Sequence, residues 1–120
     1  MFKNLNILNL SSAMSSHSAQ RHAVIADNIA NADTPEYKTR DVQPFEAVFE
    51  AAKNEGRSIE TMAAKIIISD YGDSMSPNGN SVSLENEMMK SVEAMNEHQL
   101  SLQIYKKSLS MMKMAIGKNM

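Results

Sequence analysis

The chain has no cysteine, no tryptophan, only 5% aromatic residues and no surplus of basic charge. Without cysteine there is no disulfide framework and no thiolate chemistry, which fits a reducing compartment or a route that never relies on oxidative folding. The formal net charge is -2 and the sequence pI about 5.9. Nucleic acid and anionic lipid are therefore disfavoured as partners, since both are held largely through Lys and Arg. No apolar run approaches the roughly 18 residues of a transmembrane helix. The opening Met1-Phe2-Lys3-Asn4-Leu5 lacks the apolar core and small-residue cleavage site of a secretory signal, so export, if any, is expected to proceed uncleaved. Signatures of catalysis are missing too. His17 and His22 are five apart and do not share a helix face as an i, i+4 metal pair would, and His98 falls in an apolar seam. Asp70 and Asp73 flank a loop glycine and read as solvated. There is no His-Glu-x-x-His, no Gly-rich phosphate loop and no Gly-x-Ser-x-Gly elbow. The chain reads as a non-enzyme without cofactor or metal.

What is present is periodicity. From Leu84 to Ile116, steps of four and three pick out Leu84, Met88, Ser91, Met95, His98, Leu102, Tyr105, Leu109, Met112 and Ile116. This is the heptad pattern of a long helix with a narrow apolar seam facing another helix. Ser83 is a candidate N-cap, with Glu85 and Glu87 near the positive end of the helix dipole. Lys106, Lys107, Lys113 and Lys118 lie toward the negative end, and Gly117 is placed to stop the helix. Such a helix is roughly 50 Å long. A compact domain of this size has a radius of gyration of only about 13–14 Å, so the helix should protrude from any core the chain builds. Seven of the 11 methionines fall from Met88 onward, and methionine adapts to irregular neighbours.

The first 33 residues read as a second long helix. Phe2, Leu5, Leu8, Leu10, Ala13 and Met14 open an apolar pattern that Ile25, Ile29 and Ala32 continue. Ala19, Ala23, Ala26 and Ala30 form a small-residue stripe that would let another helix approach closely. Serines at 11, 12, 15, 16 and 18 weaken the middle of this helix, which should need a partner to form fully. Pro35 ends it, because the residue before proline is pushed out of the α region. In the centre, Pro44 at N1 followed by Phe45, Val48, Phe49 and Ala52 predicts a short helix ending before Gly56. Lys65-Ile66-Ile67-Ile68-Ser69 predicts a short strand, and residues 70–83 are dense in turn formers.

The expected architecture is mainly α, one structural domain in three parts: an N-terminal helix over 1–34, a turn, short helix and loop insert over 35–83, and a C-terminal heptad helix over 84–120. The two terminal helices are expected to pack as an antiparallel coiled-coil-like hairpin. The inter-helix seam is expected at Leu84, Met88, Met95, Leu102, Tyr105, Leu109, Met112 and Ile116.

The run Ala30-Asn31-Ala32-Asp33-Thr34-Pro35-Glu36-Tyr37 resembles the signature of the bacterial flagellar rod and hook family, a helix end reading Ala-Asn, a spacer, Thr-Pro-Gly-Tyr. Arg21, Asn28, Ile29, Lys38, Arg40 and Asp41 extend the likeness, and Asn78-Gly79-Asn80, Val82, Leu84-Glu85 and Glu87-Met88 form a second block. Glu36 stands where the family has Gly, which predicts either a type I turn or a strained Glu36. The resemblance implies a structural subunit of the proximal rod of the flagellar basal body, polymerising through its terminal helices into a tubular shaft. It implies contacts with copies of itself, other rod proteins, the MS-ring, a rod-base adaptor and export-gate components, and type III export into a periplasmic rod. Asn28, Ala30, Asn31, Thr34, Pro35 and Tyr37 would then clamp the helix end. A small helical-hairpin dimeric adaptor or export chaperone is the rival reading.

Overall fold

In the computed structural model, which describes residues 2–59, 62, 64–68 and 76–117, three helices and two strands follow one another as α1 (Phe2–Ala30), β1 (Arg40–Val42), α2 (Phe45–Glu55), β2 (Ile66–Ile68) and α3 (Leu84–Gly117). Asp70, Asp73 and the rest of 69–75, as well as Lys118, lie outside the described residues.

α1 and α3 run antiparallel, tied near one end where Asn28 bonds Glu87 and near the middle where Ser18 meets His98. At 34 residues, α3 is roughly 51 Å long. The molecule measures 67 × 29 × 18 Å, with a radius of gyration of 18.1 Å. That exceeds the about 13–14 Å of a compact chain of this length. No helix among the described residues is long and apolar enough to cross a membrane.

The contact between the long helices repeats every seven residues, but through small and polar side chains. Ser11, Ser18 and Ile25 of α1 are buried, as are Glu87, Ala94, Ser101 and Ser108 of α3. The serine hydroxyls bond their own helix: Ser11 to Leu8 O, Ser18 to Ser15 O, Ser101 to His98 O and Ser108 to Ile104 O, at 2.7–3.0 Å. A hydroxyl satisfied by the preceding turn enters the seam without an unpaired polar group. His98 Nδ1 lies 3.1 Å from Ser18 Oγ and 3.3 Å from Ser15 Oγ, so this histidine is bonded to the partner helix.

The helix boundaries follow local chemistry. α1 stops at Ala30, short of Thr34, because Asn31 Nδ2 donates back to Asp27 O at 2.8 Å and the chain enters a turn. α3 begins after Ser83, whose Oγ accepts from Asn86 N–H and whose carbonyl accepts from Glu87 N–H. Pro44 is the N-cap of α2 rather than its first helical residue. Gly56 closes α2 at φ 66°, with Gly56 N–H on Lys53 O and Arg57 N–H on Ala52 O. These are the two bonds of a Schellman ending, which favours Gly in the left-handed position. The isoleucine run forms β2, antiparallel to β1 with Asp41 opposite Ile67.

The insert docks on α1. His17 Nε2 donates to Gln43 O at 2.6 Å and its ring meets Phe45 edge-on, while Gln20 Nε2 donates to Ala64 O. Val24, Ile25, Val42, Val48, Ala52 and Ala94 are the buried apolar side chains among the described residues. They make a small core for a chain of 120 residues.

Candidate functional site: a turn clamp and an outer helix face

The helix end of α1 is held by a closed network of polar bonds. Asn28 is fully buried. Its Nδ2 donates to Arg40 O at 2.7 Å and to Glu87 Oε2 at 3.0 Å. Its Oδ1 accepts from Tyr37 Oη at 3.0 Å and Arg40 N at 3.1 Å. One amide thus fixes α1, the turn, β1 and the first turn of α3, with its full capacity of four bonds in use. Asn31 Oδ1 accepts from Thr34 Oγ1, and Tyr37 N–H donates to Thr34 O across the turn that Pro35 opens. Ala30 is the last helical residue.

Glu36 takes a φ of 62°, so the strained alternative holds. It occupies the turn position where a type II turn places Gly. Gly79 lies directly against it, and a Cβ there would sit 3.3 Å from Glu36 Cγ and 3.4 Å from its Cα. Glu36 N–H donates to Asn78 O at 3.0 Å.

The residues that hold this turn from across the chain are Asn80, Ser81 and Thr39. Asn80 Nδ2 donates to Asn31 O at 2.8 Å and Thr34 O at 2.6 Å. Ser81 N–H donates to Tyr37 O, and its Oγ accepts from Thr39 N–H at 2.8 Å. Among the described residues no buried side-chain nitrogen or oxygen lacks a partner. A charged group adjoins the clamp. Arg21 grips Asp41 through Nε (3.2 Å) and Nη2 (3.4 Å) and reaches Glu93 at 3.4 Å, while Lys90 Nζ lies 3.2 Å from Glu87 and 3.8 Å from Asp41. Burial alone would lower the pKa of Arg21, but the hydrogen bond and charge of Asp41, with Glu93 and Glu97, raise it overall. For Tyr37, burial raises the pKa and the nearby Arg40 charge opposes the rise.

The predicted seam residues lie elsewhere than between the two long helices. Met88, Met95 and Leu102 are 65%, 51% and 40% exposed, and Leu84, Tyr105 and Ile116 are exposed as well. Leu109 and Met112 are half-buried. The row facing α1 is Glu87, Ala94, Ser101 and Ser108, one residue earlier than Met88, Met95, Leu102 and Leu109. The reason is size. Two helices approach most closely where their facing residues are small, and the large side chains are turned out to the shoulder. Ala19, Ala23, Ala26 and Ala30 of α1 are exposed too. Ala19, Ala23, Ala26, Ala94, Met95 and His98 line one shallow groove of about 430 Å³. Met95 of α3 thus shares a groove with three alanines of α1, with Ser18 and His22 also in its wall.

The described residues contain no group of three or more acidic or histidine side chains placed to hold a metal ion. Fold and site define an elongated helical-hairpin protein with a bonded turn at one end and an apolar outer face. Residues 7–38, from α1 through the clamp turn, match the family described as flagella basal body rod protein. Over a 125-position alignment, the chain is 30% identical to the flagellar basal body rod protein FlgB of Agrobacterium fabrum, covering 93% of each. It is 29% identical over 103 positions to FlgB of Aeromonas hydrophila, covering 77% of this chain and 78% of that one. The chain belongs to the FlgB-like flagellar basal body rod family. Membership gives it a structural role in the basal body rod.

Proposed function

We propose that the chain polymerises through its terminal helices into the proximal part of a tubular rod that carries torque across the periplasm. Copies of itself and other rod proteins cover the outer face, and the MS-ring, the rod-base adaptor and the export gate meet the rod at its base. The chain reaches this place through the flagellar export route, and the role is mechanical rather than catalytic. The observation that carries the reading is the inversion of the usual pattern: small polar side chains between the helices, and Met88, Met95 and Leu102 exposed outside, with Met95 beside the alanines of α1. Burying one such large side chain contributes about 1.5–3 kcal/mol. A neighbouring helix seated on this face supplies what the hairpin lacks.

The clamp residues Asn28, Ala30, Asn31, Thr34, Pro35 and Tyr37 set the angle at which the insert leaves the hairpin, so that successive copies meet identically. Leu102→Asp is the test of assembly. Leu102 is exposed in the single chain, so its fold should survive while an unpaired charge is forced into the contact. The expected result is a helical, soluble variant that fails to enter basal bodies and does not restore motility. Normal incorporation of that variant, or a closed dimer that does not change on dilution, would contradict the proposal.

A further inference from the structure

We propose that a second contact, distinct from the outer face above, joins copies of this chain head to tail: the start of α3 of one copy seats in a groove between α1 and α2 of the next. This rests on the assembly reading and adds to it a named pair of surfaces. The groove lies at the end of the hairpin where α1 begins. Ile7, Leu10, Phe49 and Ala52 give it an apolar floor, Lys53 and Arg57 lie on its rim, and its volume is about 470 Å³. Ile7 and Phe49 are large apolar groups, 41% and 42% exposed.

The complementary surface lies at the opposite end. Glu85, Met89, Val92 and Asn96 are spaced at i, i+4, i+7 and i+11, and at 100° per residue they fall on the face of α3 opposite the seam of Glu87 and Ala94. Met89 and Val92 are 64% and 58% exposed. Helix-in-groove recognition reads this spacing of anchors.

Charge selects the pairing and its direction. The exposed charges in the first half of α3 are Glu85, Glu93 and Glu97, all acidic. Residues 98–117 carry Lys106, Lys107 and Lys113 and no acid. The helix dipole favours acid at the N-terminus and base at the C-terminus, but only within the first and last turns. Glu93, Glu97, Lys106 and Lys107 lie beyond that reach. α3 therefore runs from an acidic half to a basic half, and the groove lies at the basic end. On its wall Arg57 is paired with Glu55 at 3.6 Å, and Glu46 and Glu50 are exposed on α2, so among the described residues Lys53 is the groove cation left to meet an acidic partner. Like ends repel, so a symmetric pair is disfavoured and head-to-tail contact is favoured.

Such a contact uses different surfaces on the two copies, so it propagates rather than closing. The bonds Asn28–Glu87 and Arg21–Glu93 place the Glu85–Val92 stripe level with α1 residues 23–30. The groove uses α1 residues 6–10. Neighbouring copies are then offset by roughly 28 Å along the axis.

The absence of native cysteine makes the test direct. Full-length chain carrying Val92→Cys is mixed with full-length chain carrying Phe49→Cys and oxidised mildly. The mixed disulfide dimer should form well above the yield of a control mixture of Val92→Cys with Met114→Cys. Adding Lys53→Glu to the Phe49→Cys chain should lower the yield about fivefold, and adding Glu85→Lys to the Val92→Cys chain should restore it. A yield equal to the control, or one indifferent to both charge reversals, overturns the contact. If oligomers still form and still depend on Leu102, only this contact is lost and the outer-face reading stands. A chain that stays monomeric at every concentration and gives no cross-link overturns both.

Discussion

Asn28 uses both amide hydrogens and both lone pairs of its oxygen, on the Arg40 N–H and carbonyl, the Tyr37 hydroxyl and the buried Glu87 carboxylate. Its replacement is therefore costly. Asn28→Ala leaves the Glu87 carboxylate and the Arg40 backbone short of partners and should lower stability by about 3 kcal/mol, measured by urea unfolding. Glu36 predicts the opposite sign. Held at φ 62°, it should gain from Glu36→Gly by about 0.5–1 kcal/mol, seen as a rise in melting temperature. The Tyr37 hydroxyl donates to Asn28 as the neutral phenol, and burial raises its pKa above the ordinary 10.0. Its stabilisation is complete below pH 10 and is lost as pH rises through the raised value. Melting temperature should thus fall more steeply as pH rises above 10 in the wild type than in Tyr37→Phe. The local half of this clamp, Asn28 to Tyr37, is legible in the sequence because proline and short polar side chains announce a turn. Asn80 and Ser81 are not legible as its partners, since nothing local tells a loop residue which backbone carbonyls some 45 positions away it will reach. The second block of likeness, Asn78-Gly79-Asn80, is the signal that marks them.

At the scale of the helices, heptad spacing marks α3 and an apolar pattern ended by Pro35 marks α1. Neither gives the row that faces inward. A reading that buries the apolar row at Met88, Met95 and Leu102 assumes that hydrophobicity alone chooses the seam. Here close approach of the backbones chooses it, through Ser11, Ser18, Ala94, Ser101 and Ser108. A pair of substitutions separates the two accounts. Ser101→Leu places a large side chain where the helices touch and should cost about 1–3 kcal/mol in the isolated chain. Met95→Ser should change that stability by no more than about 0.5 kcal/mol while weakening assembly. The reverse order, measured by circular dichroism and sedimentation, would restore the apolar row to the seam. The middle insert is the part least readable in advance. α2 and β2 show in local pattern, but their docking depends on His17 and Gln20, polar residues on a serine-rich stretch whose reach to Gln43 O and Ala64 O has no sequence signal.

The whole molecule is a rod-shaped hairpin whose small buried core sits where the insert meets α1, with large apolar side chains distributed along its outside. Ordering costs about 1–2 kcal/mol of backbone entropy per residue, and a serine-lined seam offsets little of it. In the isolated chain at micromolar concentration, amide hydrogen exchange should be fast in the half of the hairpin away from the clamp and slow around Asn28 and Glu87. The account turns on whether the outer face is covered only in company. Peroxide oxidation of methionine, read residue by residue by mass spectrometry, measures this directly. In the isolated chain, Met88 and Met95 should oxidise as fast as an exposed methionine. In intact basal bodies the same two residues should be slowed by about tenfold or more. Equal rates in both states would mean that no neighbour covers the face, and the account of this chain as a rod subunit built through it would be wrong.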